Sequence, residues 1–174
     1  MTTPFKVGGL IASVILIAFG VGSIVTGMDG RDRVRDDLSR ENIVGTDDST
    51  IPGEKVDTGE EAQEFAKIMR VHALESSDGK TYSELDRFVD EDGNPTSDEE
   101  QAAVNPDTGQ PRSNPARDQW VTYTSLSTAL NTAYFAESVA TFAIVMGIAL
   151  LLTGIGFLVL VMSLWRREPA APRG

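Results

Sequence analysis

The chain reads as an all-α membrane protein: two transmembrane helices, the second continuous with a long extramembrane helix, and a small helical ectodomain packed on that helix. Three observations support this. Residues 7–28 and 139–164 are apolar runs without an ionisable side chain, each long enough for a bilayer span of about 20 residues. Residues 29–138 hold 25 acidic and 11 basic side chains, a net charge of -14 in a chain whose total is -11. After Pro115 no proline occurs until Pro169, and Asn114 is a good N-cap, so one helix of about 75 Å can run from 115 to 165 at about 1.5 Å per residue.

These totals restrict function. A mean hydropathy of -0.12 averages two unlike populations. The acidic middle argues against nucleic acid as a partner, because phosphate binding needs a basic face; a cationic partner or simple solubility suits it better. Cysteine is absent, which removes disulfides, thiol nucleophiles and thiolate metal sites.

Residues 1–28 are the first transmembrane helix. Val25, Thr26 and Gly27 offer a small-residue cleavage pattern, but the apolar run is longer than a usual signal-peptide core, and a retained helix is expected. Gly9 with Ser13, Ala18 with Gly22, and Ser23 with Gly27 fall four apart; in the second span, 139–165, Ala140, Gly147 and Gly154 fall seven apart on one face. Small residues let helix backbones approach, so Gly22, Gly27, Ala140, Gly147 and Gly154 are the expected packing surface of a helical hairpin.

Arg166, Arg167 and Arg173 of the basic tail, 166–174, mark that side as cytoplasmic. Arg31, Arg33, Arg35 and Arg40 outnumber Lys6 and oppose this, but the intervening segment exceeds the ~60 residues over which loop charge governs orientation. The expected topology is a cell-membrane protein with residues 29–138 outside and both termini cytoplasmic.

Residues 29–57 should be a stalk helix with Val34 and Leu38 on one face, then a loop containing Gly45, Pro52 and Gly53. Glu137 falls near the level of Arg31 and Arg33, where either an ion pair or a water-facing carboxylate is expected. Residues 58–114 are the acidic ectodomain. Thr58 with Glu61, Thr81 with Glu84, and Thr96 with Glu99 have capping-box spacing and predict three helices. The first carries Ala62, Phe65, Ala66, Met69 and Ala73 on one stripe, the second Tyr82, Leu85, Phe88 and Val89, and the third stops before Asn105. No period-two alternation marks a strand. Along the extramembrane half of the long helix, 115–138, Trp120, Tyr123, Leu126, Leu130 and Ala133 recur at spacings of three and four beside Tyr134 and Phe135. Trp120, Tyr123 and Tyr134 are either core beneath the ectodomain or the anchors of a partner interface.

Chemistry-bearing residues are few. His72 is the only histidine; with Glu75 one turn on it supplies two metal ligands where zinc generally needs three or four. As the base of a serine triad it lacks a Gly-x-Ser-x-Gly elbow. Asp90, Asp92 and Asn94 surround Gly93, with Asp98, Glu99 and Glu100 following. A helix-loop-helix calcium loop places glycine sixth and glutamate twelfth, whereas Gly93 is fourth, so an acidic solvated turn is expected. The spans carry no ionisable group and hence no usual ion or proton pathway. Trp165 beside Arg166 is an interfacial anchor. No catalytic, metal or cofactor site is assigned, and no cofactor is expected.

The stretches EFAKIMRVHALESSDGKTYSEL, NPARDQWVTYTSLSTALNTAYFAESVA and AIVMGIALLLTGIGFLVL resemble a group of small two-span membrane proteins of actinobacteria. The resemblance covers the ectodomain and second span and implies an architecture and an envelope location rather than a reaction. Some members carry a label borrowed from the small subunit of aromatic ring-opening dioxygenases. Nonheme iron chemistry of that kind uses two histidines and a carboxylate, and only His72 is available here. The reading that follows is a non-enzymatic membrane-anchored interaction or scaffold protein displaying an extracytoplasmic helical domain, its partners being membrane lipid and a further protein or a second copy. One alternative is a ligand or metal sensor using His72, Glu75 or the 90–100 cluster; another is an accessory subunit of a larger membrane complex.

Overall fold

The computed structural model describes residues 3–166; Arg167, Glu168, Pro169 and Arg173 lie outside them. Three helices dominate: α1 (Thr3–Glu41), α2 (Gly59–Glu75) and α3 (Pro115–Arg166). Two short strands, β1 (Phe88–Val89) and β2 (Pro95–Thr96), lie between α2 and α3. The chain divides into two compact units, residues 3–34 with 136–166, and residues 35–135.

The first unit is a hairpin of two antiparallel helices. α1 and α3 each contain a stretch long and apolar enough to cross a membrane, and only 11% and 17% of those stretches are buried within the chain. A core helix of a water-soluble protein would be mostly covered. Phe5, Ile11, Val14 and Phe19 on α1 and Phe142, Leu152, Val159 and Leu160 on α3 are instead more than half exposed.

The centre of the hairpin contact is made of small residues. On α1 the covered positions are Lys6, Ser13, Gly20 and Gly27, and on α3 they are Glu137, Ala140, Gly147, Gly154 and Val161; apart from Glu137 they follow a seven-residue repeat on both helices, as in a left-handed coiled coil. The backbones nearly touch: a Cβ at Gly20 would stand 2.7 Å from the Leu151 amide nitrogen and 2.8 Å from the Gly147 carbonyl oxygen, and one at Gly147 would stand 2.7 Å from the Gly20 oxygen. Gly27 meets Ala140 and Ile144, while Gly154 meets Leu16 and Ile17. The Ser13 hydroxyl, fully buried, donates to the Gly9 carbonyl of its own helix at 2.7 Å, so it needs nothing from α3. Gly22 is a correction to the expected packing set. A Cβ there would meet nothing within 4 Å, and it faces an open apolar groove with Ala18, Phe19, Ser23, Thr26 and Ala143. Its four-residue partnership with Ala18 points away from α3, because the contact follows the seven-residue repeat through Gly20. Arg31 Nε donates to Glu137 Oε1 at 3.0 Å, the ion-pair arm of the expectation for Glu137.

The second unit starts from one long capped helix. Thr58 caps α2 as predicted: its hydroxyl accepts from the Glu61 amide, and Glu61 accepts from the Thr58 amide in return. The predicted stripe is buried, with Ala62, Phe65, Ala66, Met69 and Ala73 all under a tenth exposed. α2 ends where Asp78 and Gly79 take positive φ and the Gly79 amide returns to the Leu74 carbonyl. Asn114 Oδ1 accepts from the Ala116 amide at the start of α3.

The two other predicted ectodomain helices are not formed. Thr81 and Glu84 close a single turn, in which the Glu84 carboxylate accepts from both the amide and the hydroxyl of Thr81. Phe88 and Val89 enter a β-hairpin instead, paired antiparallel with Thr96 and Pro95. The turn explains this. Asp90 and Asn94 close a three-residue loop, the Asp90 amide donating to the Asn94 carbonyl, and Gly93 takes φ +84°, the left-handed position that such hairpin loops require. Thr96 is thereby consumed in β2, and its hydroxyl caps only the Asp98 amide. Further single bridges join Val44 to Lys55, Phe88 to Ser113 and Val104 to Pro111. The unit is one helix, the adjoining parts of α1 and α3, and hydrogen-bonded loops, rather than an all-helical cluster.

The hairpin geometry separates two glycines that look alike in the sequence. Gly147→Val should lower the melting temperature of the detergent-solubilised chain sharply, in the overpacking range of about 1–3 kcal/mol or beyond. Gly22→Val should leave it nearly unchanged, and equal losses at the two positions would refute the packing described.

Candidate functional site

The residues with chemical potential lie in the second unit. His72, near the end of α2, does not pair with Glu75. Its Nε2 lies 2.8 Å from Asp48 Oδ2, on the loop between α1 and α2. An ionised carboxylate only accepts, so Nε2 carries the proton. The His72 ring also packs against Tyr123 of α3, with ring centroids 6.5 Å apart and planes inclined at 57°. The Tyr123 hydroxyl in turn accepts from Gln119 Nε2 at 3.0 Å. Three segments distant in sequence are thus joined at one imidazole. The Thr46 hydroxyl, close by but outside hydrogen-bonding geometry, and then the hydrogen-bonded His72 ring hold the exposed Asp48 carboxyl below the ordinary carboxylate range.

This His–Asp pair resembles half of a nucleophilic triad, but among the described residues no hydroxyl is seen to bond the ring. The Ser127 hydroxyl, one turn beyond Tyr123 on α3, donates to the Ala66 carbonyl at 3.3 Å. Among the described residues no three histidine or carboxylate side chains gather where they could hold a metal ion. The acidic turn is used internally: Asp90 Oδ1 accepts from the amides of Asp92 at 3.0 Å and Asn94 at 2.8 Å, and Oδ2 accepts from Asn94 Nδ2 at 3.1 Å. The amide and side chain of Asn94 hold this carboxyl below its usual range. Both Asp90 carboxylate oxygens thus take part in shaping the hairpin.

The three aromatic partner candidates occupy different environments. Trp120 is 7% exposed and packs with Ala73 and Leu85, flanked by Leu74, Ala116 and Tyr123. It is a core residue, so its ring is not offered to a partner. Tyr123 and Tyr134 are half-buried. A small cleft of about 70 Å³ lies beside Trp120, lined by Met69, Arg70, Tyr123, Thr124 and Thr128 among others, with room for one or two waters at most. Arg117 fastens the 81–85 turn to α3, its guanidinium stacked 4.0 Å over the Tyr82 ring and donating to the Leu85 carbonyl at 3.4 Å. Sequence reading missed Asp48, which lies 24 residues from His72 and carries no local signal. It also missed Gly20, whose seven-residue spacing from Ser13 and Gly27 was present to be read.

No protein-family model, curated protein or solved structure matches the chain.

The capping carboxylate gives a pH signature. Burial raises the Glu61 carboxyl, but the Asp57 and Thr58 amides and the Thr58 hydroxyl outweigh it, and the net shift is downward. A lowered folded-state value means stability that is complete above the unfolded value of ~4.3 and is lost as pH falls through the folded one. The melting temperature should therefore drop from about pH 5 to about pH 3, and Glu61→Gln should flatten that drop. Thr58→Ala should cost about 1 kcal/mol. A Glu61→Gln profile parallel to wild type would refute the assignment.

Proposed function

We propose that the chain is a membrane-anchored, non-enzymatic interaction or scaffold protein whose two apolar helices cross the cell membrane and whose acidic segment stands on the extracytoplasmic side. The observation that carries this reading is the surface of the hairpin. Its large apolar side chains face outward and its small ones face inward, the reverse of a water-soluble helix pair. A bilayer covers such a surface without further protein, since contiguous exposed apolar patches on soluble monomers rarely exceed a few hundred Å². Packing through glycines at close backbone approach is the mode favoured between helices in lipid.

The interaction role is supported by how the chemical groups are engaged. Asp48, Glu61, Glu84 and Asp90 serve loops and caps, and Trp120 serves the core. The likeness to actinobacterial two-span proteins is consistent with an envelope location. The orientation follows from the basic tail and the length of the segment between the spans.

The test is alkaline carbonate extraction of native membranes, followed by protease treatment of intact spheroplasts. The chain should stay in the membrane pellet, and protease should cut within 97–113, the exposed loop before α3. Release by carbonate would end the anchoring reading, and protection of that loop in intact spheroplasts with cleavage after lysis would reverse the topology.

A further inference from the structure

We infer that the outward face of α3 in the second unit, from Val121 to Phe135, is a docking surface for a second copy of this chain, arranged with the two helices parallel; this rests on the anchored reading above. Val121, Ser125, Thr128, Thr132 and Phe135 are all exposed and succeed one another at spacings of four and three, the seam along which parallel helices pair. Val121 is 48% and Phe135 67% exposed.

The composition of this face separates it from an ordinary wet one. On α2 the exposed positions are Glu60, Lys67, Arg70, Val71 and Glu75, as expected of a helix surface in water. On α3 no charged side chain occurs between Asp118 and Glu137. The two threonines of the strip also bond their own helix, the Thr128 and Thr132 hydroxyls donating to the Thr124 and Thr128 carbonyls at 2.8 and 2.7 Å, as does the neighbouring Thr122 to Asp118 at 3.1 Å. Such threonines present their methyl groups and lose no hydrogen bond when covered.

Electrostatics selects the occupant. Residues 29–138 carry a net charge of -14, so two copies repel one another wherever their acidic surfaces face. They can meet only across a charge-free strip, whereas a cationic partner would seek the acidic surface itself. Copies anchored in one membrane with one orientation present the same strip, which gives the self-matching contact of a two-fold dimer. The strip covers about 21 Å of helix. One helix pair of that length falls short of the ~1,200–2,000 Å² of a stable interface, so the contact forms where anchoring concentrates the copies and disperses on dilution in detergent.

Because the chain has no cysteine, single cysteines report the contact directly. The full-length protein is reconstituted in phosphatidylcholine–phosphatidylglycerol liposomes as Ser125→Cys, Thr132→Cys or, as a control on α2, Lys67→Cys, and oxidised. The Ser125→Cys and Thr132→Cys chains should form dimers about tenfold faster than Lys67→Cys, and dilution into detergent should abolish the difference. A charge at the exposed Ala129, one turn on from Ser125, introduced as Ala129→Glu in the Ser125→Cys chain, should slow dimer formation about tenfold, while Ala129→Gln should not. Equal rates at positions 67 and 125, or indifference to Ala129→Glu, in liposomes from which carbonate fails to extract the chain, would overturn this inference alone. Release of the chain by carbonate would overturn the anchored reading and this inference together.

Discussion

The backbone contact between Gly20 and Gly147 is the constraint on which the hairpin depends. Two helices in lipid gain nothing from the hydrophobic effect by meeting, because acyl chains are as apolar as leucine; close packing and weak polar contacts must hold them. Glycine on both sides at one level lets the main chains approach until a Cβ on either would stand 2.7 Å from the other backbone, and Ile17, Ile24 and Ile144 lie against Gly154, Gly147 and Gly27. The seven-residue repeat that buries Ser13, Gly20 and Gly27 against Ala140, Gly147 and Gly154 follows from this geometry. So does the exposure of most of the large apolar residues in the unit. Arg31 and Glu137 add a polar contact at one end, which fixes the register that the glycines permit.

The second unit meets a different difficulty. It has one full helix of its own and a small core, and many carboxylates to accommodate. Rather than gathering them, it distributes them to backbone amides: Glu61 at the α2 cap, Glu84 on the 81–85 turn, Asp90 in the hairpin loop and Asp98 on the Glu100 amide. Each carboxylate satisfies donors that a short loop would otherwise leave to water. Acidic composition and the lack of a clustered acidic site are then two sides of one arrangement. The His72–Asp48 pair extends the pattern over distance, tying the 43–57 loop to α2 and α3 through a single imidazole.

The functional reading grows from the contrast between these units. One has two helices long and apolar enough to cross a membrane, with most of their large side chains exposed. The other has a charged surface interrupted by a neutral face on α3. Of the three aromatics that look like a partner site in the sequence, Trp120 is spent on the core with Tyr123 packed against it, and the less conspicuous run of valine, serine, threonine and phenylalanine on α3 stays exposed. Association through small and β-branched residues suits partners held at high local concentration, where a modest interface suffices.

Several features were legible from residues alone. The two apolar runs, the N-caps Thr58 and Asn114, the buried stripe of α2, and Ala140, Gly147 and Gly154 on one helical face all depend on spacings of three, four or seven along one helix, which the sequence displays directly. Capping-box spacing misled at Thr81 and Thr96, because the same Thr–Glu reach closes a lone turn as well as it opens a helix. The β-hairpin escaped because strands of two residues have no periodicity to detect; its sign was the Asp90–Asn94 loop with Gly93. Which glycines meet, that Trp120 is enclosed, and that His72 finds Asp48 were decided only by tertiary structure. Each depends on which face of one segment is turned to another distant in sequence, and local spacing carries no record of that choice.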